Sequence, residues 1–446
     1  MPALVVPAFA LTWWAACYLV GRDPARTVLW RAGAALGAFA AGVAAWAVAP
    51  GSAAAQILIC VPAVFWAGAA VALLPRTLPE RPQINLGWMV LAVLFVGVLV
   101  PLPSAGRLVV LAPLVGGLVL LWRFRDQIQP VMLPAALSVV AGLYAIGLVV
   151  LLLPINLAAP GLVLSAMALD LLMLGFLVAV ADALEVGERL RPDLLRAVVG
   201  AGVGAVVVGG PAALTMVAAP GHRWAVVLQF LLVGVVMTVF GAIGPIRRGL
   251  DSFVFRHDER LRHDRVALLL AADALPRRRP RQRLITTSEQ DFLRFTRHAL
   301  ENYADLGRLI RSPLADLPVV DRRLTGRAVE PPLARAIELQ GVLREGVDRL
   351  RPAGSFDTTD EWRFYNAVHF CWVLGLDPYA RRSRTEGLDR DARRAFDWMR
   401  GYVPRRTLRR WQQEAATIVA RRLWGELVKT DPRWLTRVSP PTTRST

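Results

Sequence analysis

Residues 130–153 read PVMLPAALSVVAGLYAIGLVVLLL, a stretch without a single charged side chain. A bilayer core of roughly 30 Å is crossed by about 20 apolar residues wound as a helix, because in lipid each backbone N–H and C=O must be satisfied within its own segment. The stretch is therefore read as a membrane span, and the same reading extends in both directions. Apolar runs precede it near 3–20, 29–49, 53–74, 85–102 and 106–122, and follow it near 158–181, 196–218 and 223–246. That makes about nine spans. The short pair at 85–122, joined by Pro101-Leu-Pro103, reads either as two full spans or as a re-entrant pair. Trp14-Ala-Ala-Cys17 is superficially like a lipoprotein cleavage site, but no basic residue precedes the run, so 3–20 is read as a retained first helix.

The bulk composition agrees. Of 446 residues 55% are hydrophobic, and a mean hydropathy of +0.44 excludes an ordinary soluble fold. Charge is unevenly placed: residues 1–246 hold 12 basic and 8 acidic side chains, residues 247–446 hold 40 and 26. The chain divides into a polytopic transmembrane domain (1–246), a basic juxtamembrane helix and linker (247–284) and a helical domain (285–446). The net charge of +18 lies mostly in the last two, which suits polyanions such as nucleic acid or lipid headgroups. Lys429 is the only lysine, so the arginine bias reflects a GC-rich genome as much as phosphate binding. Cys17, Cys60 and Cys371 lack metal, redox or disulfide spacing. No metal and no cofactor is expected.

Orientation follows from the loops, since basic residues near span ends stay cytoplasmic. Alternate loops carry Arg22, Arg26 and Arg31; Arg76 and Arg81; Arg123 and Arg125; Arg189, Arg191 and Arg196. The intervening loops have Arg107 and Arg223 only. This pattern puts the N-terminus outside and, with an odd number of spans, the C-terminal domain in the cytoplasm of a bacterium, beneath its inner membrane.

Within the spans Asp170 is the one clearly intramembrane carboxyl, in Leu164-Ser-Ala-Met-Ala-Leu-Asp170. An ionised carboxylate there is costly, so it reads either as a ligand or proton sensor or as a structural group bonded to Tyr144, Gln56 or Gln229. Gly200 and Gly204 have the spacing of close helix packing, and Gly209-Gly210-Pro211 marks a kink. A transporter would show repeated halves with broken helices or several charges at this depth, so transport ranks below sensing.

Three short pieces, Gly21-Arg-Asp-Pro-Ala-Arg26, the Leu169–Gly175 helix running into Asp182-Ala-Leu-Glu-Val-Gly-Glu-Arg189, and Gly249-Leu-Asp-Ser-Phe-Val-Phe255, resemble the N-terminal seven-transmembrane region found ahead of many bacterial sensor histidine kinases. The resemblance covers at most the first 255 residues and implies a sensory input module. A kinase core is missing from the sequence: neither His298 nor His369 has a phosphoacceptor context, and no Gly-rich ATP lid follows.

In the second half, Val254, Leu261, Leu268 and Leu275 recur every seven residues, which predicts either a dimeric stalk over 250–275 or a helix packed on its own domain. Arg277–Arg283 is a basic linker suited to anionic lipid. Only helices are expected beyond it: one capped by Ser288, one begun by Pro332 with Ala336, Leu339, Leu343, Val347 and Leu350 on its apolar face, and one bearing the aromatics of Trp362–Trp372 as core. The most specific signal lies in 388–424, which reads helix, turn, helix, with Gly401 as a left-handed stop and Pro404 at the first position of the next helix. On that helix Leu408, Trp411, Ala415, Val419 and Leu423 line one face, and Arg406, Arg410, Gln413, Thr417 and Arg421 the other. Arginine and glutamine can bond base edges in pairs, while Arg405, Arg406, Arg409 and Arg410 would meet phosphates. The same pattern also describes an amphipathic hairpin that binds a protein partner or only packs.

The sequence thus predicts an all-α protein, a membrane-embedded sensor whose cytoplasmic helical domain binds DNA. A membrane-anchored interaction scaffold and, below it, a small-solute transporter with a regulatory tail are the alternatives. No pairing of residues fixes an acid, base and nucleophile together, so enzyme activity is not expected.

Overall fold

The computed structural model describes residues 5–24, 26–74, 78, 80–125, 128, 132–153, 159–186, 191–218, 223–242, 246, 287–325, 333–380 and 388–430. Helix is the only regular structure among them. Packing divides the chain into two units, Met1–Leu184 with Leu190–Asp258, and Glu185–Arg189 with Glu259–Thr446. The expected stalk at 250–275, the basic linker and Gly249–Phe255 lie outside the described residues.

The first unit begins with α1 (Val6–Arg22), α2 (Thr27–Val48), α3 (Ala53–Leu73) and α4 (Arg81–Leu99). A 3-10 turn, Ala105–Val110, leads into α5 (Leu111–Arg123), followed by α6 (Leu133–Leu152) and α7 (Pro160–Val186). Then α8 (Arg191–Gly204) passes through a π turn, Ala205–Gly209, into α9 (Gly210–Ala218), and α10 (Arg223–Gly241) completes the unit. Eight helical stretches among the described residues are long and apolar enough to cross a membrane, with α8 and α9 counted as one. The chain is a multi-pass membrane protein. Helix α1, at 17 residues, is about 26 Å long, is not among those eight, and packs against α2 and α10.

Contacts fix the direction of the helices. Phe9 meets Phe230 edge-on at 4.9 Å, Trp13 Nε1 donates to Thr238 Oγ1 at 2.9 Å, and a Cβ on Gly21 would lie 3.1 Å from Gly241 O, so α1 and α10 run parallel. Helix α4 crosses the full depth of α3: at one end Arg81 Nη2 donates to Ala72 O at 2.9 Å, and at the other Arg107 Nε donates to Leu99 O at 3.2 Å and its guanidinium also bonds Gln56. Both stretches of the 85–122 pair, Arg81–Leu99 and Ala105–Arg123, are among those long and apolar enough to cross a membrane. Gly200 and Gly204 both receive the ring of Phe240, as small-residue packing requires. The π turn at Ala205–Gly209 precedes Pro211, whose ring and missing N–H disfavour a regular turn there.

The second unit is α11 (Glu289–Glu301), α12 (Leu306–Arg311), α13 (Pro318–Leu324), α14 (Ala334–Asp348), α15 (Arg363–Val368), α16 (Arg390–Tyr402) and α17 (Arg405–Thr430). Ser288 caps α11 by accepting from Asp291 N at 3.2 Å. Ala336, Leu339, Leu343 and Val347 are buried as their spacing predicts, and so are Trp362, Tyr365 and Phe370. The aromatic segment is not one regular helix, because a π turn, His369–Val373, follows α15. Pro332, expected to begin α14, lies outside the described residues.

Candidate functional site

Helix α17, with 26 residues, is about 39 Å long and holds the second unit together. Its buried side is Leu408, Ala415, Ala416, Val419, Ala420 and Leu427; Trp411 and Leu423 pack at the margin. Trp411 stacks on Trp398 of α16 at 5.9 Å and 9°. Gly346 of α14 is needed where the helices meet, since a Cβ there would lie 2.8 Å from Val419 Cγ1.

The helix-turn-helix expectation is corrected in two details. Gly401 is not a left-handed stop: α16 continues through it to Tyr402, and the positive-φ glycines among the described residues are Gly51, Gly354 and Gly375. The connection is only Val403-Pro404, with Val403 extended and its carbonyl held by the Tyr379 hydroxyl at 2.6 Å. Pro404 stands before the helix and not at its first position, its carbonyl accepting from Leu408 N at 3.0 Å. The Tyr379 hydroxyl holds the carbonyl of the extended residue at which the helix stops.

Arg405, Arg406, Arg409, Arg410 and Arg421 are all exposed. Arg405 lies over the Tyr379 ring at 5.7 Å, and Arg410 Nε is 3.8 Å from Glu414 Oε1, one turn on. Gln413 and Thr417 are half-buried, and the Thr417 hydroxyl donates to Gln413 O at 2.9 Å. The face thus offers several solvated guanidinium groups suited to phosphate. Its two neutral polar side chains are partly withdrawn from any base edge.

Asp170 stands apart from these residues, on α7. It is half-buried between the exposed Leu169 and Met173, and it has no hydrogen bond or ion pair among the described residues. Tyr144, one expected partner, instead donates to Ile59 O at 2.5 Å. Gln56, another, is held by Arg107 and by Ser104 Oγ at 2.8 Å. The structure does not bring Asp170 together with either.

Sequence reasoning missed the buried arginines of the bundle. Arg26 Nε lies 3.7 Å from Asp182 Oδ1 and 3.8 Å from Asp23 Oδ2, so residues from two of the pieces singled out in the sequence meet inside the structure. Arg31, counted as a loop residue, is buried in α2. The available signal was position: Arg31 lies two residues inside its apolar run. A cavity of about 810 Å³ lies between α1, α2 and α10, lined by Phe9, Trp13, Ala41, Ala45, Phe230 and Thr238 among others. Searches among family models, characterised proteins and solved structures give no match to this chain.

Proposed function

We propose that the chain is a membrane-embedded signal transducer of the bacterial inner membrane, N-terminus outside, whose second unit is a cytoplasmic output domain that contacts DNA through the arginine face of α17. The observation that carries this reading is that face: Arg405, Arg406, Arg409, Arg410 and Arg421 are exposed together on the helix that organises the domain, with Glu414 the acid paired among them. Such a surface takes most of its affinity from phosphates, and half-buried Gln413 and Thr417 add little base selection. The transducer is not an enzyme in this reading, and its stimulus acts on the bundle, where Asp170 is the ionisable group at membrane depth. A homodimer through 250–275 and contact of the basic linker with membrane lipid belong to the same proposal.

The test is binding of duplex DNA from a randomised library to the full-length protein in lipid nanodiscs at about 150 mM salt. Wild type should bind with a salt slope that falls by about 2 in the Arg406→Ala/Arg410→Ala variant, one unit for each phosphate contact removed. Binding that is absent, or unchanged in the variant, would sink the DNA reading. A second reading, a membrane-anchored scaffold for a protein partner, is favoured by one feature: Tyr402, three residues before Arg405 in the sequence, is 81% exposed, and tyrosine and arginine are frequent centres of protein interfaces. Tyr402→Ala separates the two, since it should leave DNA binding intact and abolish capture of a protein partner.

A further inference from the structure

Helix α7 turns a regular stripe away from the rest of the bundle. Leu162, Ala166, Leu169, Met173 and Phe176 are exposed, at alternating spacings of four and three residues. Leu164, Met167, Ala168, Leu171, Leu174 and Gly175 between them are buried. The buried side is fixed on its neighbours: a Cβ on Gly147 of α6 would lie 2.4 Å from Met167 Cγ, and one on Gly175 would lie 3.0 Å from Leu36 Cδ1 of α2. A spacing that averages about 3.5 residues keeps the stripe straight along the helix, as the a and d positions of paired helices do. The stripe is about 21 Å long.

Apolar side chains that face lipid need no partner, and α6 has such a face in Val139, Leu143 and Ile146. Helix α7 differs in Asp170. This residue flanks the stripe, half-buried between the exposed Leu169 and Met173, and no group among the described residues bonds it. A carboxyl inside a span is costly unless something pairs with it, and the bundle supplies nothing. On the opposite flank stands Ser165, also half-buried. Its hydroxyl donates to Gly161 O at 2.9 Å and keeps lone pairs free to accept. With the stripe as a and d, Ser165 occupies a g position and Asp170 the e position of the next heptad. In two parallel helices with this repeat, those are the positions that meet across the seam. A second copy inserted in the same orientation therefore brings its Ser165 to Asp170, and two-fold symmetry makes the contact twice.

We propose that α7 is a homodimer interface within the membrane, two copies packing in parallel along Leu162–Phe176 and held by reciprocal hydrogen bonds in which the protonated Asp170 carboxyl of each copy donates to Ser165 of the other. The interface rests on the membrane assignment of the bundle, and is independent of the DNA reading and of a stalk at 250–275. The test uses full-length protein, free of other cysteines, in liposomes. Leu169→Cys and Met173→Cys should cross-link between copies through a short bismaleimide, and Ile146→Cys, 61% exposed on α6, should stay at background. Energy transfer between copies labelled at Ile337→Cys, followed as lipid is added, gives the dimer dissociation constant. That constant should rise about tenfold in Asp170→Leu, which loses both bonds, and less in Asp170→Asn, which still donates to Ser165. The melting temperature at high lipid dilution should not fall in Asp170→Leu, because a carboxyl facing lipid has been removed, so the lost dimer is not a lost fold. Cross-linking at 146 as strong as at 169 and 173, a protein that is monomeric at every dilution, or one dissociation constant for wild type and Asp170→Leu would overturn the proposal.

Discussion

The two units place the same residue types on opposite sides of their surfaces. In the bundle, large apolar side chains are exposed along α4, α8 and α10, with Val93 75% exposed, while Arg22, Arg26, Arg31 and Arg107 are buried. In the second unit the arrangement is inverted. Among its described residues only Ile337, Leu374 and Tyr402 are exposed large hydrophobics, and its arginines line the outside. The difference teaches that the helices were selected against two solvents. An apolar surface is neutral in lipid, so the bundle needs its core for fit and for its few charges, whereas the second unit is held by removing apolar area from water.

The largest effect that could break this comparison is at the buried ion pair. Asp182→Ala should destabilise the bundle by about 2 to 3 kcal/mol, since Arg26 would lose the more buried of its two carboxylates and keep Asp23, whereas Glu345→Ala in the second unit, which removes the half-exposed bridge to Arg323, should cost under about 1 kcal/mol. Thermal melting of the two variants in nanodiscs checks the ratio. Next is truncation of an apolar side chain. Phe292→Ala, at a ring packed 5.2 Å from Trp424, should cost about 3 kcal/mol. Val93→Ala should change stability by less than about 0.5 kcal/mol, and unfolding curves of both would show whether lipid-facing apolar residues are as dispensable as claimed.

A subtler effect is pH. Burial lowers the pKa of His369, with Asp348 as the main opposing influence and Arg344, Asp389 and Arg351 adding smaller ones. Its Nδ1 is 3.9 Å from Asp348 Oδ1, and its ring stacks on Tyr365 at 4.6 Å. With the folded pKa below the unfolded value, the folded state binds fewer protons once pH falls below about 6.5, so stability is lost as pH drops through that value toward the folded pKa. Melting of the second unit between pH 7 and 5 should show the loss, and His369→Gln should remove it while the bundle transition stays level. The smallest effect is at Arg410→Ala, which breaks the exposed pair with Glu414. It should change stability by only about 0.3 kcal/mol in a denaturant titration, so weaker DNA binding by this variant would reflect lost contact and not unfolding.

The spans, the Ser288 cap and the apolar faces of α14 and α17 were legible because each rests on local periodicity or a short-range hydrogen bond. The exposed arginines of α17 were legible for the same reason. What could not be read was set by partners far along the chain. Gly401 looked like a stop, but Tyr379 and the Trp398–Trp411 stack decide where α16 ends. Arg31 looked like a loop charge, but Gly68, Asn85 and Trp88 accept it inside the bundle. Asp170 stood out as an intramembrane carboxyl, yet two of the three partners suggested for it, Tyr144 and Gln56, are engaged by Ile59 and Arg107.

The account's central claim, that one unit faces lipid and the other water, is tested most directly with nitroxide labels at Val93→Cys and Ile337→Cys in a full-length protein free of other cysteines. Both positions are exposed and apolar, so composition alone does not separate them. Collision with oxygen should dominate at 93 and collision with a water-soluble nickel complex at 337. Preferential collision with nickel at both positions would contradict the membrane assignment of α4 and, with it, the division of the molecule into two solvents.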